Sequence, residues 1–329
     1  MFSVEQTHSS MQRLFKLKLR QLLIVGMVVT GLVSLALFVK SNFGDTQQTA
    51  TQRQDCKSWK TTSQHKSTLI SKTACVRNYF LLIVVSSAPA HFERRNLIRQ
   101  TWGTDRDVVA QWKTFFLLGQ TRNQTQSESS LLKKENNIYG DIIRADYYEH
   151  YWNQSLKIEM GFEWAARYCT FSFLLKSDDD VFVNTKDLIH RLQRAPKKGL
   201  YMGKRHKNPE VRRYGKFRVS YDEFSGSTYP NFCSGAGFVL SYDVVECLVP
   251  FFDVINPFRL DDVYVGILAN KAGVSPVHHS RFVYPDVNYE HCLFVPNTLV
   301  QHRAVGQCLT RLFEMHSKDL YSYNLGSYF

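Results

Sequence analysis

Nowhere in this chain do two cysteines stand as Cys-x-x-Cys, and it contains neither a Gly-x-Gly-x-x-Gly fingerprint nor a phosphate-loop motif. The first absence removes a common structural zinc framework, and the others leave a dinucleotide fold without support. No internal repeat is present, so repeat arrays are set aside. Acidic residues are the minority charge, 29 against 41 Lys and Arg, for a formal net charge of +12 in 329 residues. That length suffices for one large core or two modest ones.

Charge is missing altogether from Leu22 to Val39, which is mostly apolar. At about 1.5 Å per residue the run spans roughly 27 Å as a helix, near the thickness of early secretory membranes. It predicts a signal anchor over 22–39, with a cleaved signal peptide as the competing reading because Ser34-Leu35-Ala36 is a small-x-small triplet. Arg13, Lys16, Lys18 and Arg20 precede the run and Lys40 follows it, which keeps residues 1–21 in the cytosol. Residues 40–75, rich in Thr, Gln, Ser and Lys without apolar period, read as a stem. Residues 76–329 are then a lumenal domain.

A lumenal address changes the meaning of other features. The seven cysteines become disulfide candidates, with an odd one left over. Asn123-Gln124-Thr125 and Asn153-Gln154-Ser155 become usable N-glycosylation acceptors at Asn123 and Asn153. Nine Lys or Arg against Glu210 alone between Lys197 and Arg218 would suit nucleic acid elsewhere. A lumenal address argues against that partner, and the segment reads as a solvated loop or a weak membrane-surface contact, with a mobile basic loop near a diphosphate as the functional alternative.

Tyr79 to Val85 predicts a strand, Ser86-Ser87-Ala88-Pro89 a turn, and Arg94 to Trp102 a helix, the opening of an α/β domain. Thr114–Leu118 and Asp141–Tyr147 are further extended candidates. Ile158, Phe162, Ala165 and Cys169 recur at helical spacing and lead into an apolar strand from Phe171 to Leu175. Asn184 or Thr185 would cap a helix through Leu192, and Ser234 to Gly237 predict a glycine turn ahead of another strand.

Asp178-Asp179-Asp180 follows the Phe171 strand, where ligands of open α/β sheets gather. Alternation turns Asp178 and Asp180 the same way, so the pair can offer oxygens to one hard cation such as magnesium or manganese while Asp179 faces elsewhere. The bland alternative is a solvated acidic turn. A calcium loop fails, because Phe182 and Ile189 occupy its fifth and twelfth positions. A second acidic pair, Asp261-Asp262, opens a predicted helix, where carboxylates also complement the helix dipole.

Six segments in one order carry a resemblance: Arg94 to Gly103, Phe116-Leu117-Leu118-Gly119, Lys176 to Asn184, Tyr229-Pro230, Cys233-Ser234-Gly235 and Asp261 to Gly266. Together they resemble the β-1,3-glycosyltransferase family of animal Golgi enzymes (glycosyltransferase family 31), over about Cys75 to Phe313. The resemblance implies a GT-A nucleotide-sugar transferase fold with a central mixed sheet behind a single transmembrane helix. It also implies a UDP-sugar donor, Mn2+ or Mg2+, and β-1,3 transfer with inversion in the Golgi membrane.

By residue, the resemblance assigns Asp178 and Asp180 to the metal, and His302 with them, His278, His279 and His291 being rivals. Asp262 is implied as the general base. Arg95, Arg99, Lys176 and Asp179 fall on the donor side, although Arg95 and Arg99 equally fit ion pairs anchoring the first helix. Ser234, Gly235, Ala236, Gly237 and Asp261 would border donor or acceptor; the family more often has Glu where Asp261 stands. The leading implication is a galactosyltransferase using UDP-galactose on terminal GlcNAc of glycoproteins or glycolipids. A UDP-GlcNAc-dependent transferase acting on terminal Gal is the near alternative. An inactive glycan-binding or chaperone-like relative is the alternative of another class, and a nucleotide hydrolase a further one.

Overall fold

Leu81 to Val85 are all fully buried, yet they do not feed one core. Leu82 and Val84 join one apolar cluster, while Leu81, Ile83 and Val85 join another. Successive side chains of a strand point to opposite faces, so this strand lies in a sheet covered on both sides. A computed structural model describes residues 69–71, 75–104, 111–123, 125–285 and 292–325, all within the compact unit Gln54–Phe329.

In chain order the elements begin with β1 (Leu69–Ser71), β2 (Asn78–Ser86), α1 (Phe92–Gln100), β3 (Trp112–Gln120), α2 (Gln126–Tyr139), β4 (Ile142–Tyr148) and α3 (Gln154–Tyr168). Then come β5 (Thr170–Asp178), β6 (Val181–Val183), α4 (Thr185–Leu192), β7 (Tyr201–His206), β8 (Phe232–Ser241) and α5 (Tyr242–Leu248). The last are α6 (Asp261–Lys271), β9 (Val277–His278), β10 (Phe282–Val283), β11 (Val300–His302) and α7 (Gly306–Leu325). One eight-stranded sheet runs β1-β4-β3-β2-β5-β8-β7-β9, and a three-stranded sheet runs β10-β11-β6. The strands β4, β3, β2 and β5 are mutually parallel, whereas β8 is antiparallel to both β5 and β7. The expected α/β class with a central mixed sheet is thus observed.

No helix among the described residues is long and apolar enough to cross a membrane, and the predicted anchor at 22–39 lies outside those residues. The predicted stem is not unstructured to its end. Its residues Leu69–Ser71 pair antiparallel with β4, and Cys75 is bonded to Cys169. A second disulfide joins Cys292 to Cys308, Cys247 is also disulfide-bonded, and the free thiol among the described residues is the buried Cys233.

The segment from Ser234 to Gly237 is not the turn its glycines predict: it lies inside β8, hydrogen-bonded between β5 and β7. Gly237 is needed there for closeness rather than for a left-handed backbone. A Cβ on it would sit 2.7 Å from Val300 Cγ1 of β11, where the small sheet rests on the large one. Gly237→Ala is therefore expected to lower stability by about 1–3 kcal/mol through overpacking, measured as a shift in denaturant midpoint with unchanged slope.

Candidate active site

β2 is the switch point of the parallel region: the chain passes from it to β3 and β4 on one side and returns to β5 on the other. Open α/β sheets leave a crevice at the carboxyl ends of such strands. Ser86 ends β2 directly opposite Asp178, which ends β5. Between Asp178 and Val181 the chain leaves the large sheet for β6 of the small one. The three aspartates occupy that crossing, and each faces a different neighbour.

Asp179 turns inward. It accepts hydrogen bonds from Ser87 Oγ and Arg94 Nη1, both at 2.8 Å, and meets His91 Nδ1 at 2.7 Å. Burial would raise its carboxyl, but these partners outweigh burial and hold it below the usual carboxylate range. Asp180 lies 3.5 Å from His302 Nε2, because β11 runs antiparallel to β6 with His302 opposite Val181. The two described rival histidines are used elsewhere. His278 Nδ1 accepts from the Arg205 amide, and His279 Nδ1 from that of Arg281. His291 lies outside the described residues.

Asp178 is held by Lys176. The buried ammonium bonds Asp178 Oδ1 at 2.7 Å, the Gly235 carbonyl at 2.6 Å and Asp261 Oδ2 at 3.2 Å, so one lysine links the two acidic motifs. Burial alone would lower the lysine, yet the Asp178 and Asp261 charges raise it above its ordinary value. Asp178 is itself pushed up to about 6, by burial first and by Asp261 and Asp180 in addition, against the pull of Lys176.

Asp262, in the first turn of α6 beside Asp261, faces β8. Its Oδ1 accepts from the Val263 amide at 2.8 Å and its Oδ2 from the Gly235 amide at 3.3 Å. Burial, and then the Asp261 charge, push it up to about 7. A Cβ on Gly235 would stand 3.3 Å from Asp262 Cβ, so glycine lets β8 close on the acidic pair. Ala236 is buried in the core, and Ser234 Oγ lies 2.6 Å from His206 Nε2. Tyr284 Oη accepts from the Gly237 amide at 3.0 Å and lies within 3.2 Å of the Ser234 carbonyl, with its ring 5.7 Å from that of His302. His91, His206 and Tyr284 carry no motif signal; only the sheet register brings them here.

Arg95 and Arg99 sit differently from the donor-side placement. Arg95 is fully buried, with Nε and Nη2 on the two Glu135 oxygens at 2.8 and 2.7 Å and Nη1 on the Ala88 carbonyl at 2.5 Å. Arg99 is forked onto Asp141 at 2.8 and 2.9 Å and also reaches Glu135 at 2.7 Å. Arg95 ties α1 to the loop after β2 and to Glu135, and Arg99 ties it to Glu135 and Asp141 with its Nη1 left without a hydrogen-bond partner among the described residues, which is the ion-pair alternative weighed above. Arg94 and His91, half-exposed beside Asp179, are the side chains of this segment that face the crevice. Of the two sequons, Asn123 is exposed, whereas Asn153 precedes α3 with its amide on the Tyr148 carbonyl and Ser155 buried.

A galactosyltransferase family model matches residues 93–280, a span running from α1 past both acidic motifs. The chain belongs to the galactosyltransferase family. The lactosylceramide 1,3-N-acetyl-β-D-glucosaminyltransferase of Homo sapiens is 35% identical over 219 residues, 63% of this chain and 58% of that protein. The β-1,3-galactosyltransferase 1 of Mus musculus is 32% identical over 252 residues, 74% of this chain and 76% of that one. Among solved structures, the galactosyltransferase LgtC with donor and acceptor sugar analogues matches 67% of this chain and 86% of its own at 12% identity, with a TM-score of 0.36. That distant likeness bears no weight for the site.

No group of three or more His, Cys, Asp or Glu is gathered as a metal cage among the described residues. Carboxylate oxygens from Asp178 and Asp180 with the His302 imidazole nevertheless fit manganese or magnesium in chemistry, and Asp180 and His302 are already neighbours.

Proposed function

We propose that this galactosyltransferase-family protein is an inverting β-1,3-glycosyltransferase of the GT-A type. In this reading it transfers a hexose from a UDP-sugar to the 3-hydroxyl of a glycan acceptor. The observation that carries it is Asp262, a half-buried carboxylate raised to about 7 and tied through Gly235 and Lys176 to the Asp178–Asp180–His302 group. A base titrating near neutrality can take a proton at working pH and release it afterwards. Inversion needs one such base and no covalent intermediate.

Asp262 receives the proton of the acceptor hydroxyl as that oxygen attacks the anomeric carbon from the face opposite the diphosphate. Gly235, lacking a side chain, lets the sugars approach the β8 backbone next to Asp262. Lys176 holds Asp261 and Asp178 in place and offsets their mutual repulsion. Asp178, Asp180 and His302 would hold a divalent cation, which when bound supplies Lewis-acid stabilisation of the leaving UDP. Arg94 and His91 border the same crevice and are positioned to meet its anionic groups.

Galactose from UDP-galactose to terminal GlcNAc is the leading assignment. Transfer of GlcNAc from UDP-GlcNAc to terminal Gal is the second, favoured by the 35% identity to the human N-acetylglucosaminyltransferase. An idle relative is disfavoured by the intact acidic pairs, whose clustered charge would be costly without a task. The 22–39 run is the basis for proposing a type II Golgi membrane location.

The test is to incubate the purified chain with manganese, each of several UDP-sugars, and β-GlcNAc- and β-Gal-terminated acceptors, assigning product linkage by NMR. A β-1,3 product names the donor; donor hydrolysis without acceptor dependence would sink the transferase reading. Asp180→Ala is expected to remove metal-dependent UDP binding, read by titration calorimetry with and without manganese. Binding unchanged in the variant would move the metal away from Asp180.

A further inference from the structure

The connection between β7 and β8, whose charge predicts a solvated loop, is folded. Arg213 donates to the carbonyls of Val219, Ser220 and Phe224, each at 3.0 Å, and of Gly226 at 2.7 Å. Val211, Val219, Tyr229 and Phe232 form a small core of their own together with Val263 of α6. The loop is therefore docked on the helix that carries Asp262.

Two further contacts fix what lies beside it. Arg259, just ahead of α6, stacks 3.9 Å over Trp152 and donates to the Arg218 carbonyl and to Glu223, both at 3.2 Å. Ser155 Oγ donates to the Phe258 carbonyl. The turn at Tyr151–Asn153, the start of α6 and the basic connection thus form one continuous rim. Val263, on which the connection packs, directly follows Asp262 in α6, so the rim adjoins the proposed base.

Its outward side is aromatic and cationic. Tyr214 is 89% exposed, Tyr221 carries Arg213 3.9 Å over one ring face and leaves the other to solvent, and Lys216 lies 5.0 Å over the Tyr151 ring. Arg212, Lys216 and Arg218 have no ion-pair partner among the described residues, unlike Arg259 on Glu223. Exposed aromatic faces suit the C–H faces of sugar rings. Unpaired cations beside them create a positive potential that a neutral glycan would not use.

We propose that this rim is the acceptor subsite beyond the reacting sugar, and that it selects glycans carrying a carboxylate or sulfate near the terminal residue. The proposal rests on the reading of Asp262 as the base, since the acceptor hydroxyl must reach that carboxylate and the rest of the glycan must lie over the neighbouring surface. The donor diphosphate is the competing anion for these cations, and the test separates the two.

The purified full chain is given two matched oligosaccharides with the same terminal sugar, one neutral and one sulfated on the penultimate sugar. At low salt the sulfated acceptor is expected to have a kcat/KM higher by about tenfold, on the order of two exposed charge pairs, and added salt should erode the preference. The K216Q/R212Q variant should bring the ratio to within about twofold by raising acceptor KM for the sulfated glycan. A charge control on α2, K133Q/K134Q, should retain the preference. No preference, a preference untouched by K216Q/R212Q, or a variant that raises the UDP-sugar KM instead would each overturn the proposal. If neither acceptor is turned over, calorimetric binding of the same two glycans decides the rim, independently of the Asp262→Asn test of the base. Tighter sulfated binding lost in K216Q/R212Q upholds it, and equal binding refutes it.

Discussion

Asp262→Asn is expected to cut sugar transfer by about 10³-fold while leaving UDP binding nearly unchanged, because general-base contributions run at that order. Asparagine keeps the shape at the start of α6 and an oxygen for the Val263 or Gly235 amide. It loses only the ability to take a proton. The same residue sets the acid limb of the pH profile. With its carboxyl raised to about 7, Asp262 is protonated below neutrality, so transfer should fall tenfold per pH unit on the acid side and level off above about pH 7. Stability should move the other way. A carboxyl whose folded value lies above its unfolded one favours folding at low pH, and that contribution is lost as pH rises from about 4 through 7. Above pH 7 the variant should therefore melt at a higher temperature than the wild type. Transfer at the wild-type rate would remove Asp262 from the chemistry, and a loss of both transfer and UDP binding would mean the residue holds the site together instead.

Much of this site was legible because its residues answer to short-range rules. The apolar runs Tyr79–Val85 and Phe171–Leu175 are local patterns, and β2 and β5 lie where those patterns put them. The acid triplet is equally local, and its split roles, Asp179 inward and Asp180 toward His302, follow from side-chain alternation plus one antiparallel pairing. Other features carry local signals that hydrophobic periodicity does not report. Thr125 and Glu128 form a full capping box and Gly140 ends α2 in the left-handed region, yet this helix was not expected from its polar, weakly periodic sequence. The basic stretch between Lys197 and Arg218 concealed a folded loop, since its core positions Val211 and Val219 lie far apart in sequence and meet only against Val263.

Gly235 and Gly237 illustrate the opposite failure. Paired glycines in sequence are turn signals, but here each answers a long-range contact, with Asp262 on one side and Val300 on the other. Lys176 is similar: no spacing rule relates it to Asp261, eighty-five residues away, and only the β5–β8 pairing with α6 against it closes the link. Long-range charge partners are invisible to periodicity, because periodicity reports which face a residue occupies and not what stands opposite.

Arg95 gives the sharpest separation of the two roles that the sequence allowed. Replacing it with Met is expected to lower stability by about 3 kcal/mol or more, the usual scale when one partner of a buried ion pair is removed. Glu135 would keep Arg99 but lose both short bonds from Arg95, and the Ala88 carbonyl would be left with the His91 amide as donor. Lysine should not rescue the site, since one ammonium cannot reproduce a fork that spans both carboxylate oxygens and the loop carbonyl. Ser87, which Arg95 also reaches at 3.3 Å, is the residue that donates to Asp179, so the damage should propagate to the crevice as a loosened Asp179 rather than as a lost ligand contact. Thermal unfolding of the Arg95→Met chain, set beside its UDP affinity below the melting temperature, distinguishes the cases. A large drop in melting temperature with UDP affinity reduced only several-fold is the expected result. An unchanged melting temperature with UDP binding abolished would restore Arg95 to the donor site and mean that its bonds to Glu135 are exchanged for the nucleotide when the donor arrives.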